Sequence, residues 1–372
     1  MTVWMYSSVM SSPPPRNPPL KGRGALSNPT GRFEDRRREA VDDGWYREEV
    51  PDFVPTSIEP DRARSVIARN DSPDIPFEQS INPYRGCSHG CVWCYARPSH
   101  NYLGLSPGLD FETRLFYKKD GAALLEAELA KPGYVCKPIT LGANTDPYQP
   151  IERRMRVTRE ILEVLTRCRH PVTIITKGAL VLRDLDLLCD LARDGLAGVG
   201  VSITTLDADL KRVMEPQAAS PRARLEVVRR LSEAGVPAGV LVAPVIPALT
   251  DHEMEAILES CAAAGARWAG YVLLRLPHEV KDLFREWLGA HYPDRADHVM
   301  SLVRQMRGGR DYDPAFGARM RGTGPLAALL RDRFQIACRR LGLETGREAA
   351  PDTGHFRPPR QGRSDPQLAL DL

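Results

Sequence analysis

The 372-residue sequence predicts an α/β fold, a partial (β/α)6 barrel with a helical C-terminal extension and disordered tails. Three observations predict it. Short β-branched runs alternate with longer stretches of helical period, the pattern of parallel βα units. Six such units can be placed, fewer than the eight that close a full barrel. Stretches rich in proline, glycine, serine and arginine bracket this regular region at both ends.

Residues 1–45 carry PPP at 13–15 and the charge run EDRRRE at 34–39, a composition that cannot bury enough apolar surface to order itself. Residues 46–78 form a lead-in, and the barrel is expected over 79–277. Its strands are expected at 79–82, 138–142, 172–176, 199–204, 238–243 and 268–274. Between them, segments 157–167, 182–192, 222–234 and 254–264 space apolar residues three or four apart, as a helix lying on a sheet requires. Right-handed crossovers bring all six strands parallel, and in such barrels chemistry gathers at the C-terminal strand ends. Polar candidates fall there, just after the second, third, fourth and sixth strands. Residues 278–345 read as a helical extension, and 346–372 as a flexible tail.

Composition narrows the class. Hydrophobic residues at 42% and charged residues at 27% are ordinary for a globular protein. No apolar run approaches the roughly 20 residues that span a bilayer, and the first residues lack a basic region before a clean hydrophobic stretch. No membrane partner and a cytoplasmic location are expected. A net charge of +3 is too small to make nucleic-acid binding a bulk property, so any basic surface must be local. Eight cysteines in a long, unexported chain fit a disulfide scaffold poorly, and three of them fall within eight residues.

Those three stand in NPYRGCSHGCVWCYARP, just after the first expected strand, as Cys87, Cys91 and Cys94 with C-x3-C-x2-C spacing. Three thiolates on a cubane of four irons leave one iron open to a small-molecule ligand, whereas an electron-transfer ferredoxin uses four cysteines. Gly86, Ser88 and Gly90 let the loop fold tightly, and Trp93 and Tyr95 can shield a metal from solvent. The alternative is a zinc site with His89 or His100 as fourth ligand, in a non-enzymatic nucleic-acid adaptor. The segment lacks the second ligand pair of the usual zinc modules. Cys136, Cys168, Cys189, Cys261 and Cys338 stand singly, as buried small hydrophobes do.

With Trp93 as the aromatic, C-x3-C-x-aromatic-C resembles the hallmark of the radical S-adenosylmethionine (radical SAM) superfamily. The resemblance implies a 4Fe-4S cluster whose open iron chelates S-adenosylmethionine. It also implies an electron donor of flavodoxin or ferredoxin type, reductive cleavage to a 5'-deoxyadenosyl radical, and abstraction of a substrate hydrogen. It assigns a cofactor cradle to Trp93, Tyr95 and the strand ends. Asn144, Thr145 and Asp146, in GANTDPYQPIE, face the methionine amino group. Lys177, in TKG, is expected to pair with the carboxylate and Ser202 to bind the ribose, and Arg224 is implied at the carboxylate by the similarity of 221–247 described next. Taken alone, 142–152 reads equally as a strand-ending turn, Ser202 as a satisfied surface hydroxyl, and Arg224 as a solvated helix arginine.

The stretch PRARLEVVRRLSEAGVPAGVLVAPVIP at 221–247 is similar to spore photoproduct lyase and its relatives. The run from PFEQSINPYRGC through TDPYQPIE, RDLDLL, YVLLRLPHEV and MRGGRDYD, within about 45–345, resembles an uncharacterised bacterial branch of these lyase-like enzymes, often described as DNA repair photolyase-like. The resemblance implies DNA as a substrate, with radical modification of RNA, a peptide or a metabolite as the alternative. One departure matters. The lyase carries a hydrogen-donating cysteine in a C-T-S-D sequence, and aligning its aspartate with Asp146 puts Ala143 in that place. Tyr95 and Tyr148 are the candidate substitutes, with buried packing as the plain alternative.

Two segments bear on partners. RQMRGGRDYDPAFGARMRGTG, at 304–324, interleaves Arg304, Arg307, Arg310, Arg319 and Arg321 with Tyr312 and Phe316, suited to phosphates and bases or, equally, to a solvated face. The last six residues, QLALDL, with Gln367 and Leu372 at their ends, resemble the peptide by which repair proteins dock on the DNA sliding clamp.

Overall fold

A computed structural model describes residues 19–34, 54–345 and 352–359. Its chain order begins with β1 (Ser57–Pro60), β2 (Ile67–Arg69), β3 (Gln79–Ile81) and β4 (Tyr84–Arg85), followed by α1 (Leu109–Thr113), β5 (Arg114–Tyr117) and α2 (Gly121–Leu129). Strands and helices then alternate: β6 (Ile139–Leu141), α3 (Glu152–Met155), α4 (Val157–Arg167), β7 (Val172–Thr176), α5 (Leu185–Ala192) and β8 (Ala197–Ser202). The alternation continues through α6 (Ala208–Met214), α7 (Pro221–Glu233), β9 (Ala238–Val245), α8 (Met254–Ala263) and β10 (Trp268–Leu273). The extension adds α9 (Val280–His291), α10 (Pro293–Gln305), α11 (Ala318–Arg321), α12 (Gly324–Leu341) and a last strand, β11 (Glu344–Thr345).

Eight strands form one sheet in the order β11-β10-β9-β8-β7-β6-β3-β2. Six of them, β3 and β6 through β10, run parallel to one another and make the expected partial barrel. Each lies within two residues of its expected bounds. The antiparallel β2, the parallel β11 and a small β1-β5-β4 sheet were not expected. Several of these have only two or three residues, too few to leave a period in the sequence.

Packing explains the layers. α4 turns Val157, Ile161, Leu162, Val164 and Leu165 onto the sheet, and each fully buried aliphatic side chain is worth roughly 1.5–3 kcal/mol. Inside the barrel, a Cβ added at Gly239 would lie 2.0 Å from the indole of Trp268, and one at Gly200 would lie 2.8 Å from it. Trp268 opens β10, so this indole fills the end of the barrel away from the strand C-termini, and glycines on β8 and β9 make room for it. The helix expected at 182–192 divides into a 3-10 turn, Ala179–Asp184, and α5. At the junction Asp184 is buried and accepts from Tyr148, Arg159 and Arg183.

The tails need correction. Within the segment expected to be disordered, Arg23, Gly24, Ala25 and Leu26 are buried. The amides of Gly24 and Ala25 donate to the Glu112 carboxylate at 3.0 and 2.8 Å, and the Arg23 guanidinium reaches the Val54 carbonyl at 2.6 Å. Backbone donors meeting one buried acid order this stretch, so its poor apolar content was misleading. At the other end Phe356 packs on Tyr134 and His170, with ring centroids 5.5 and 5.3 Å away. The clamp-like peptide at 367–372 lies outside the described residues. No described helix is long and apolar enough to cross a membrane.

Candidate active site

The cysteine loop follows β3 and sits at the C-terminal rim of the barrel. Gly86 and Gly90 adopt φ of +75° and +71°, and a Cβ at Gly86 would lie 2.9 Å from the Phe111 carbonyl, so glycine is required at this approach. The loop is tied from several sides. The Cys87 amide donates to the Phe111 carbonyl at 2.9 Å, and the Val92 amide to Met214 at 3.2 Å. Gln149 accepts from the Ser88 amide at 2.9 Å and donates to the Gly86 carbonyl at 3.1 Å. Arg97 is wholly buried and donates to the carbonyls of Cys91 and Gly108 at 2.9 and 2.8 Å while pairing with Glu112. Glu112 thus joins the cysteine loop to the N-terminal segment.

Cys87 and Cys91 are buried, Cys94 is half-buried, and all three are free thiols. Burial first, and then Glu215 for Cys91 and Cys87 for Cys94, pushes both thiols above their ordinary pKa. Such thiols ionise readily only beside a strong positive charge, the chemistry of a metal donor set. Among the described residues no three His, Cys, Asp or Glu side chains converge as one metal ion would require. His89 points its Nδ1 at Asp146, 3.4 Å away, and the Nε2 of His100 lies 2.9 Å from the Arg114 carbonyl. Neither histidine completes a zinc tetrahedron. Three free thiols, two buried and one half-buried, with no fourth ligand among the described residues fit a cluster larger than one ion, and in the same loop the Nε1 of Trp93 is buried without a partner.

Asp146 organises the next strand ends. Its carboxylate accepts from the Thr176 hydroxyl at 2.6 Å, the Lys177 amide at 2.6 Å and the Tyr148 amide at 2.8 Å. Burial opposes its charge, but His89 and these donors overcome that and hold its pKa at about 2. Burial likewise opposes protonation of His89, while Asp146 and Cys87 hold it up at about 9. The ion pair is therefore a structural latch beneath the loop.

The expected cradle residues divide. Lys177 holds its ammonium 4.7 Å from the centroid of the Trp93 ring, so these two do come together beside Cys91 and Cys94. The Asn144 side chain is exposed while its amide donates to Asn82 at 2.8 Å; the hydroxyl of buried Thr145 is spent on the Tyr84 carbonyl at 2.8 Å. Ser202 donates to the Ala243 carbonyl at 3.2 Å. Arg224 is neither solvated nor free, being 1% exposed, paired with Glu215 and bonded to the Ser202 carbonyl at 2.9 Å. Tyr95 donates to the Ala143 carbonyl at the rim. Tyr148 is buried in the main hydrophobic core and donates to Asp184 at 3.1 Å, the packing role expected as its plain alternative.

Other residues of the site carried no clear sequence signal. Glu215 lies 4.0 Å from the Cys91 sulfur and accepts from Thr204 at 2.8 Å, yet in sequence it is one acid after a helix. Arg275 follows β10 and could have been found by the strand-end rule alone. The arginine-rich segment is largely tied down internally. Arg304 pairs with Asp311, Arg319 with Asp74, and buried Arg307 donates to the Leu274 carbonyl at 2.8 Å and to that of Ala318. Arg321 lies over the Tyr271 ring, 5.4 Å from its centroid.

Comparison with known proteins agrees with this geometry. The family model of the radical SAM superfamily matches residues 81–261. An uncharacterised protein of Mycobacterium tuberculosis is 38% identical over 233 residues, which is 62% of this chain and 68% of that protein. An uncharacterised protein of Methanocaldococcus jannaschii is 29% identical over 218 residues, 58% of this chain and 76% of its own. Among solved structures, spore photoproduct lyase complexed with dinucleoside spore photoproduct superimposes with a TM-score of 0.55 at 18% identity, covering 77% of this chain and 80% of that one. A mutant of that lyase with bound AdoMet and dinucleoside spore photoproduct gives 0.54 at 17% identity over the same shares.

Proposed function

The chain belongs to the radical SAM superfamily, and from that premise we propose that it binds S-adenosylmethionine at the barrel rim and starts hydrogen abstraction from a DNA substrate. Its cofactors are those of the family, a 4Fe-4S cluster and S-adenosylmethionine. When bound and reduced by a flavodoxin- or ferredoxin-type donor, this pair supplies a 5'-deoxyadenosyl radical that takes a substrate hydrogen.

In our reading Cys87, Cys91 and Cys94 each hold one iron. Their loop is fixed by Arg97, Gln149 and the Phe111 carbonyl, so the donors are preorganised. Lys177 makes no ion pair among the described residues and rests on the Trp93 ring, which leaves its ammonium free for a carboxylate beside the cysteines. Arg224 is neutralised by Glu215 and acts as a positioning residue, holding the Ser202 strand end through its carbonyl. Asn144 shapes the rim by its amide and Thr145 by its hydroxyl, and Tyr95 shields the cysteine loop on the Ala143 side. The observation that carries the reading is the set of three free thiols of one loop, with no fourth ligand among the described residues, next to the Trp93–Lys177 contact.

The likeness to a lyase with bound dinucleoside lesion supports DNA as the substrate. Ala143 offers no thiol to return hydrogen, so we propose a reaction other than literal repair of the spore lesion. The test is anaerobic reconstitution with iron and sulfide, then dithionite, S-adenosylmethionine and chromatography for 5'-deoxyadenosine, comparing wild type with Cys91→Ala. Product that depends on Cys91 and rises with added DNA supports the reading. Product unaffected by DNA but raised by RNA or a peptide would replace the substrate, and tightly bound zinc without iron uptake would refute the enzyme.

A further inference from the structure

Arg275 is a cation at the rim that spends little of its hydrogen-bonding capacity among the described residues. It follows β10 directly, so it rises from the same barrel end as the cysteine loop. Its guanidinium stands 4.8 Å from the centroid of the Tyr95 ring, the residue after the third cysteine. Among the described residues its donors find one acceptor, the Met320 sulfur at 3.4 Å, and its Nε is buried with none. A thioether is a weak acceptor, and among the described residues no carboxylate pairs with Arg275.

Arg307 stands behind it in the same condition. It is 1% exposed and directs its fork to two backbone carbonyls, Leu274 and Ala318, with no acid in ion-pair contact among the described residues. Burial, and next the charge of Arg275, pushes its pKa down to about 10. Asp313 and Tyr312 are the neighbours that offset this, and Asp313 is committed to the Ala315 amide at 2.9 Å. Elsewhere inward-facing arginines meet acids: Arg97 with Glu112, Arg224 with Glu215, Arg319 with Asp74. A buried cation without a counter-charge is costly unless a ligand supplies one.

Building on the proposed DNA substrate, we propose that Arg275, backed by Arg307, binds a phosphate of the substrate's nucleic-acid backbone at the barrel rim. The neighbouring surface favours a nucleic acid over an isolated carboxylate. Three residues further along the same loop His278 meets the Arg32 guanidinium at 3.3 Å, and Arg32, which also pairs with Glu279 at 3.0 Å, stacks on Phe33. Phe33 and Tyr102 form a ring pair 5.1 Å apart, 54% and 73% exposed. Guanidinium groups for backbone charge beside open aromatic faces for bases are what a single strand needs.

The experiment titrates reconstituted holoprotein, under anaerobic conditions, with a fluorescent single-stranded deoxyoligonucleotide and with the same sequence carrying neutral methylphosphonate linkages. Wild type, Arg275→Gln, Arg275→Lys and a surface control, Arg331→Gln, are compared by anisotropy, with melting temperature and iron content measured on each. Arg275→Gln is expected to weaken charged-strand binding about tenfold and lower the salt slope by about one, leaving the neutral strand unchanged. Arg275→Lys keeps a point charge without the fork, should fall between, and serves if Arg275→Gln does not fold. Equal binding by wild type and both variants overturns the site while leaving the DNA reading intact. No strand binding by a wild type that still cleaves the cofactor overturns both the site and DNA but not the enzyme. Lowered S-adenosylmethionine affinity with unchanged strand binding, by equilibrium dialysis, would assign Arg275 to the cofactor carboxylate and overturn the proposal.

Discussion

Arg224 and Glu215 form an ion pair wholly inside the protein, and Glu215 also stands 4.0 Å from the sulfur of Cys91. Burial works to keep Glu215 neutral, and Arg224 is the first of the groups that overcome this and hold its pKa low. Removing one partner of such a pair strands a buried charge, at a cost of about 3–5 kcal/mol. Arg224→Gln should therefore destabilise the whole fold and lower iron retention, whereas the double variant Arg224→Gln/Glu215→Gln should recover much of the loss. Urea unfolding of the four proteins in a double-mutant cycle measures it. Additive losses would show that the pair is not coupled.

The cysteines divide into two classes by surroundings. Cys87, Cys91 and Cys94 share one loop, while Cys136 and Cys189 are half-buried and stand apart from it. Alanine at any of the first three should abolish stable iron loading, read as iron per chain and as the broad absorbance of the reconstituted protein. Cys136→Ala and Cys189→Ala should load like wild type, with stability within about 1 kcal/mol.

How far the sequence disclosed this site follows from the kind of interaction involved. Strands such as Val172–Thr176 and helices such as Val157–Arg167 were legible to the residue, because a buried face imposes a period. The cysteine triplet was legible because ligands of one site lie close along the chain. Arg224 was assigned to the cofactor by family resemblance, but its partner Glu215 is nine residues away with no period joining them, so the ion pair could not be foreseen. The N-terminal segment was misread for a related reason. Its order rests on amides meeting Glu112, some 88 residues distant, and composition is blind to backbone donors.

That segment yields a prediction of its own. A Cβ at Gly24 would lie 1.8 Å from the Gly90 carbonyl, so Gly24→Ala must push the segment off the cysteine loop. The Gly24 and Ala25 amides would then release the Glu112 carboxylate, leaving a buried acid less satisfied, a loss of roughly 1–3 kcal/mol. Hydrogen exchange should rise over 19–34 and the cysteine loop together, and iron should leave faster on exposure to a chelator. A variant whose exchange rises in the segment alone would show that the two are not coupled.

Acid should weaken the fold through His170. Its ring is fully buried, with Nε2 2.9 Å from the Tyr134 hydroxyl, Nδ1 3.0 Å from the Pro171 carbonyl and Phe356 against its face. Burial, only partly offset by the Pro171 carbonyl, holds its pKa down at about 4. In the unfolded chain a histidine titrates near 6.5. Between these values the unfolded state binds a proton that the native state refuses, so stability is full above about pH 6.5 and declines as pH falls toward 4. The shift corresponds to an upper limit of roughly 3–4 kcal/mol. His100, also buried and held at about 4, acts in the same window. Urea midpoints at pH 7 and pH 5 should therefore differ in wild type, and His170→Gln should remove about half of that histidine-dependent difference while lowering stability at pH 7. An unchanged difference in the variant would show that His170 takes up its proton within the folded protein.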